Sequence, residues 1–293
     1  MFATLLGPLP RPTLPSDAPA EAVLETVLEA QLEHGLAPLT DAGWGPGDDP
    51  VAAWRATSSR TDELVKAVVV GPITSGRSTT EVRAVLAGLA DAGCAWIEVH
   101  EPATTTIGVD PEARARFGEA HRALTRGLAG VHLSLAIVGG NADEAGIETI
   151  LAGAYASLAV DLIDGPDNWR LVAQTPQDRG IVCGALSTKP RSDDSPELLL
   201  WAAAYAASTA ERGPDRVGLA TAGSLAALSW EAAVDKLRRL GAAARLAEAP
   251  PEAQRRALDP RATGRRSRAI GQSAPGGARR HADRPPQRDD NPT

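Results

Sequence analysis

Eight short apolar runs recur along the chain, each followed by a stretch of helical character, and this alternation restricts the fold more than any other feature. The runs lie at residues 3–6, 37–40, 67–70, 96–99, 131–138, 158–163, 181–186 and 217–220. Several are almost continuously apolar, the pattern of parallel strands covered on both faces. Helices are predicted over 20–34, 51–65, 80–92, 111–128, 143–154, 168–174, 196–212 and 225–246. Asp110-Pro111-Glu112 and Ser195-Pro196-Glu197 read as N-caps with proline at the first helical position. Gly35, Gly93, Gly130, Gly213 and Gly241 read as helix stops. Eight strand–helix units in series predict an α/β protein with a single (β/α)8 barrel over residues 1–248. An open doubly wound sheet seldom needs eight such units. No Gly-x-Gly-x-x-Gly follows the first strand and no P-loop is present, so nucleotide-binding readings have no support.

In a barrel of this kind the active site lies at the C-terminal ends of the strands. The most telling end is Trp96-Ile97-Glu98-Val99-His100-Glu101-Pro102-Ala103. An aromatic and β-branched run suits a strand, and proline cannot continue the ladder, so His100 and Glu101 fall where strand becomes loop. The other ends bring Gly7-Pro8, Thr40-Asp41, the 71–74 turn, Asp161, Asp164, Ser187 and Thr221 to the same rim. Carboxylates, hydroxyls and one imidazole converging there suit a small polar ligand. His100, Glu101 and Asp164 are the candidate catalytic residues; Asp41, Thr74, Asp161, Ser187 and Thr221 are candidates for substrate binding. Plainer roles stand beside these: Asp41 and Asp164 as helix caps, Glu101 as an ion-pair partner on the rim. His132, early in its strand, reads as packed or surface, and His34 and His121 as solvent-facing on helices.

The net charge of −7 conceals an asymmetry. Residues 251–293 hold ten arginines against five acidic residues, so the remainder carries about −12. The segment 249–293 is rich in Arg, Pro, Gly and Ala with few large apolar residues, and reads as a disordered tail. Its arginines have no interleaved aromatics and no amphipathic period, which argues against nucleic acid as a partner. Apolar runs are too short for a membrane span, and the N-terminus lacks a positive n-region. With two cysteines, Cys94 and Cys183, no disulfide framework is implied and a reducing cytoplasm is the expected location.

Set beside known families, the 96–103 stretch resembles the "I-Q-I-D-E-P-A" signature of the cobalamin-independent methionine synthases, with His100 in place of the aspartate. Gly7-Pro8-Leu9-Pro10-Arg11-Pro12 is similar to the family's "G-S-F/Y-P-R-P". Gln31 to Leu36 with Leu39-Thr40-Asp41 resembles its "T-D-G-E" region, and Lys66 to Thr74 its "K-x-x-x-x-G-P-x-T" strand. Ala222-Gly223-Ser224-Leu225, with Lys236-Leu237 beyond, is similar to the closing "C-G-L … K-L". Order and spacing agree over residues 2–247. The resemblance implies a barrel of the methionine synthase and uroporphyrinogen decarboxylase superfamily. It also implies methyl transfer from a reduced folate to the homocysteine thiol, activated by zinc.

This chain departs from the family at nearly every zinc ligand. The stretch from Ala136 to Asn141 occupies the family's "H-x-C" position, Asp164 stands near its glutamate, and Ala222 replaces its cysteine. At the amino-acid-binding positions Pro8 replaces serine, His100 aspartate and Gly43 glutamate. One carboxylate cannot hold a catalytic zinc, so no metal is expected at the family's position. Two functions remain open. One is a divergent enzyme that transfers a methyl or alkyl group to a thiol, with His100, Asp161, Asp164 and Cys183 forming a relocated metal site or an acid–base cluster. The other is a non-catalytic barrel, a pseudoenzyme like the metal-free N-terminal half of the longer family members, binding a small molecule or a second barrel protein. The stretch from Leu158 to Asn168 is similar to the "D-L-V-R-G-x-x-N-L" of that half.

Overall fold

The apolar runs pair side by side as parallel strands, because each is covered on one face by helices and on the other by the barrel interior. The protein is seen in a computed structural model that describes residues 1–128 and 130–259. In chain order its main elements are β1 (Phe2–Thr4), α1 (Ala20–Glu33), α2 (Pro50–Ser58), β2 (Ala67–Val70), α3 (Pro72–Ser75), α4 (Thr79–Asp91), β3 (Trp96–His100) and α5 (Pro111–Thr125). There follow β4 (His132–Ile137), α6 (Ile147–Ile150), β5 (Ser157–Asp161), α7 (Trp169–Gln174), β6 (Gly180–Leu186), α8 (Pro196–Ser208), β7 (Val217–Thr221), α9 (Trp230–Glu248) and α10 (Pro251–Ala257). The strands form one curled sheet in the order β1-β7-β6-β5-β4-β3-β2.

Among the described residues there are seven strands rather than the expected eight. The predicted strand over 37–40 makes only two isolated bridges, Ala3 to Ala37 and Leu39 to Val65. Pro38 has no N–H to give, so the segment cannot sustain a ladder. It still spans the space between β1 and β2: Ala37 N donates to Ala3 O at 2.8 Å, Leu39 N to Leu64 O at 2.8 Å, and Lys66 N to Leu39 O at 2.9 Å. The architecture is the (β/α)8 barrel with one stave reduced to a bridged strap.

Local signals explain most helix bounds. Ser78 and Glu81 form a reciprocal capping box at the start of α4, and Asp110 accepts from Glu112 N at the start of α5. Ser195 and Ser229 cap α8 and α9. Some expectations fail. The helix predicted over 51–65 stops at Ser58, where Ser58, Ser59 and Arg60 turn back onto the carbonyls of Arg55 and Ala56. The one predicted over 143–154 is split by Gly146, whose φ of +81° breaks the helix and leaves only the four-residue α6. Gly241, read as a stop, lies inside α9, where any Cβ would overlap the carbonyl of His34. Residues 251–257, expected within the disordered tail, form α10, with Gln254 Nε2 donating to Ala247 O and Ala249 O. The remainder of that tail, 260–293, lies outside the described residues. Among the described residues no helix is long and apolar enough to cross a membrane.

The main core lies between sheet and helices. Inside the barrel a smaller cluster of Leu6, Ala136, Ala159, Val182 and Ala220 is joined by Phe2 and Val138. At the N-terminal end Trp96 packs edge-on against Phe2 and lies 4.0 Å from the His132 ring, while His132 Nε2 bonds Ser157 Oγ. That aromatic floor closes one end of the barrel.

Candidate functional site

Along β3, residues two apart face the same side, so Trp96, Glu98 and His100 all point into the barrel. The register sets Glu98 beside Ser134 and His100 beside Ala136. Lys66, just before β2, reaches the same level. Its ammonium donates to Glu98 Oε2 at 2.7 Å and to Leu5 O at 2.8 Å. Glu98 Oε1 takes the Nε2 of His100 at 2.8 Å, and Ser134 Oγ lies 3.4 Å from Oε2. Lys66 and Glu98 side chains are both fully buried. Burial pushes the Glu98 carboxyl up, but Lys66 and His100 outweigh it and hold the group below the usual carboxylate range. Burial pushes the Lys66 ammonium down, against the pull of the carboxylate. Nζ thus finds two acceptors, the Glu98 carboxylate and the Leu5 carbonyl.

An ionised carboxylate can only accept, so His100 Nε2 carries the proton and donates it to Glu98. Nδ1 has no partner among the described residues. His100 is 9% exposed, and it lines a pocket of about 360 Å³. Gly7, Pro8, the 40–43 turn, the 45–50 loop, Ala53 of α2 and Val68 and Val70 of β2 form the rest of the wall. Asp41 is in that wall. One of its oxygens accepts from Gly43 N at 2.9 Å, and burial pushes its carboxyl above the ordinary range. Gly45 approaches so closely that any Cβ would overlap Asp41 Oδ2 and lie 2.8 Å from Ala53 Cβ.

Of the residues expected at the rim, this pocket unites His100 and Asp41. The others are committed elsewhere. Glu101, wholly buried, accepts from Thr74 N at 2.5 Å and Ile73 N at 3.2 Å, with His121 Nε2 3.3 Å away. Thr74 Oγ1 takes the N–H of Ala103. Asp161 accepts three backbone N–H groups, from Gly139, Ile163 and Asp164. Thr221 Oγ1 accepts from Leu6 N, and Ser187 Oγ from Lys189 N. Asp164 pairs with Lys189 at 3.1 Å with both side chains about half exposed or more. Cys183 faces the helix layer, its Sγ 3.9 Å from Ala202 O, and burial pushes its thiol up to about 12. His34 and His121 are buried rather than solvent-facing; His121 stacks on Phe117 and bonds Tyr155 at 2.5 Å.

Zinc, which the sequence resemblance implies, does not fit this donor set. Ala136 and Ala222 carry no donor, Asp164 is held by Lys189, and the Nε2 of His100 is held by Glu98. Among the described residues no group of three His, Cys, Asp or Glu side chains is placed to hold a metal ion. The relocated metal site that His100, Asp161, Asp164 and Cys183 were expected to form is therefore not seen among the described residues. Sequence reading missed Lys66 and Glu98 as partners; the two-residue step from Glu98 to His100 in a strand was the available signal.

No protein-family model matches the chain, and no curated protein matches it by sequence. Solved structures do match. A B12-independent methionine synthase from Shewanella sp. W3-18-1, in complex with selenomethionine, superposes with a TM-score of 0.70 at 14% identity, over 85% of this chain and 98% of that one. A putative vitamin-B12 independent methionine synthase from Listeria monocytogenes gives 0.62 at 16% identity, over 85% and 97%. Dihydrodipicolinate synthase from Cyanidioschyzon merolae, with lysine bound, gives 0.53 at 13% identity, over 88% and 79%. At these identities the likeness establishes the fold.

Proposed function

We propose that the chain is a methionine-synthase-like barrel that transfers a methyl or alkyl group to the thiol of a small molecule, using His100 in place of the family's metal. The observation that carries this reading is the Glu98–His100 pair opening on the Asp41 pocket. A thiol is a poor nucleophile until it loses its proton. His100 Nδ1 accepts that proton while Nε2–H stays on Glu98, so the imidazolium forms beside a fixed negative charge. The thiolate then attacks the alkyl carbon: the S–C bond forms, and the bond to the donor's leaving group breaks with its electron pair. The leaving group takes the proton back from His100. Glu98 and Lys66 act as positioning residues, one fixing the tautomer and the other keeping that carboxylate charged. Glu101 and Asp164, expected as catalytic, serve this reading as loop anchor and surface ion pair.

The test follows ionisation of a bound thiol by its ultraviolet thiolate absorbance across pH. Wild-type protein should ionise it at lower pH than bulk solution does, and His100→Ala should remove that shift while still unfolding cooperatively. Glu98→Gln should displace the pH profile rather than only scale it. Equal thiolate formation in His100→Ala would sink the reading. Binding without thiolate formation would instead favour the non-catalytic barrel, for which the missing family ligands also argue.

A further inference from the structure

The ionisable side chains that line the pocket beside His100 are the carboxylates of Asp41 and Asp48 and the imidazole itself. Among the described residues Asp41 Oδ2 has no protein donor, the Asp48 carboxylate stands exposed in the wall, and His100 Nδ1 is unpaired. Two of the backbone N–H groups beside Asp41 are taken, Ala42 N by Thr40 Oγ1 at 3.0 Å and Gly43 N by Asp41 Oδ1 at 2.9 Å. Neither lysine nor arginine is among the described residues that line it. Lys66 is fully buried below and held by Glu98 and Leu5 O. Pro8, Ala53, Val68 and Val70 supply an apolar wall next to these acceptors.

Resting on the reading of this pocket as the ligand site, we infer that its ligand is a small primary amine without a carboxylate. The ammonium is held by Asp41 and the aliphatic chain lies against Val68 and Val70. An ammonium has donors and no acceptor, which suits a wall whose two carboxylates, Asp41 and Asp48, hold oxygens with no protein donor among the described residues. An amino acid would bring its carboxylate into a wall that already carries two carboxylates and offers no cation, a like-charge contact that discriminates against it. The Asp41 carboxylate is held in place from both sides. Gly43 N binds one oxygen, while Gly45 packs against the other and keeps the side chain from swinging away. His100, nine-tenths buried, lines the same pocket as Asp41.

Calorimetric titration of the full chain with four matched probes tests this: cysteamine, cysteine, mercaptopropionate and propylamine. Cysteamine and propylamine should bind at least about tenfold tighter than cysteine and mercaptopropionate, a difference of about 1.4 kcal/mol or more. Asp41→Asn, which keeps the bond from Gly43, should weaken the two amines by about tenfold and leave mercaptopropionate no weaker. Cysteine or mercaptopropionate binding as well as cysteamine overturns the inference, and so does the absence of amine binding. An unchanged affinity in Asp41→Asn overturns the anchor. If propylamine equals cysteamine the amine site stands and the thiol reading weakens. If thiols bind whatever their head group, the thiol reading stands and the amine site falls.

Discussion

Replacing Lys66 with methionine should remove more stability than any single surface change, because it strands a carboxylate inside the barrel. Lys66 Nζ and Glu98 Oε2 are 2.7 Å apart with both side chains fully buried. At an effective dielectric constant of about 20, that separation corresponds to about 6 kcal/mol of attraction. Desolvation of both ions offsets part of it, and breaking one partner of such a pair costs about 3–5 kcal/mol. For a barrel of this size the melting temperature should fall by roughly 10 °C. Glu98 also loses the nearest cation that holds its carboxyl down, so its folded pKa rises. A carboxyl with a depressed folded pKa contributes stability above its unfolded value and loses it as pH falls through the folded value. The acid limb of the stability curve should therefore move to higher pH in Lys66→Met. Adding Glu98→Gln should recover at least half of the loss, because the stranded charge is gone and the amide oxygen still accepts from His100. Urea unfolding of wild type, both single variants and the double variant closes the cycle. A cost below about 1 kcal/mol for Lys66→Met, or a double variant that costs the sum of the singles, would refute the buried ion pair.

Further predictions concern the rim. Gly71→Ala should destabilise by about 2–3 kcal/mol, since a Cβ there overlaps the Glu101 carboxylate and lies 3.1 Å from Val99 Cγ1. A wild-type urea midpoint for that variant would contradict the packing. Glu101→Gln should cost about 1–3 kcal/mol, because the amide presents N–H to one of the two backbone donors at Ile73 and Thr74. Amide exchange at Thr74 should quicken with it, and an unaltered rate would speak against the anchor. Asp41 has a raised folded pKa, so its contribution is complete below the unfolded value and is lost as pH rises through the folded one. Asp41→Asn should then be more stable than wild type at pH 8, with the advantage shrinking toward pH 4.5; a gain that is constant with pH would defeat the assignment.

The strand–helix alternation was legible because burial on both faces leaves near-continuous apolar runs, and β2, predicted over 67–70, matches residue for residue. Caps at Asp110 and Ser195 and the glycine stops at 35 and 93 were equally local signals, whereas α5 and α8 end at Thr125 and Ser208, ahead of Gly130 and Gly213. Where a feature depended on distant chain, reading failed. Gly241 continues a helix because His34, from the far end of the sequence, passes against it. Residues 37–40 look like a strand in isolation, yet pair only through bridges to Ala3 and Val65.

The site divides in the same way. Sequence alone placed His100, Glu101, Asp41, Asp161, Ser187 and Thr221 at strand ends, because a strand's end is written in its own residues and the proline or glycine that follows. It could not decide which of them face a ligand. Backbone N–H groups freed where strands stop must find acceptors, and Glu101, Asp161 and Thr221 are drawn onto them. Only the folded barrel settles that competition, and only it brings Lys66 and Glu98, thirty-two positions apart, to 2.7 Å beneath the imidazole left open to the pocket.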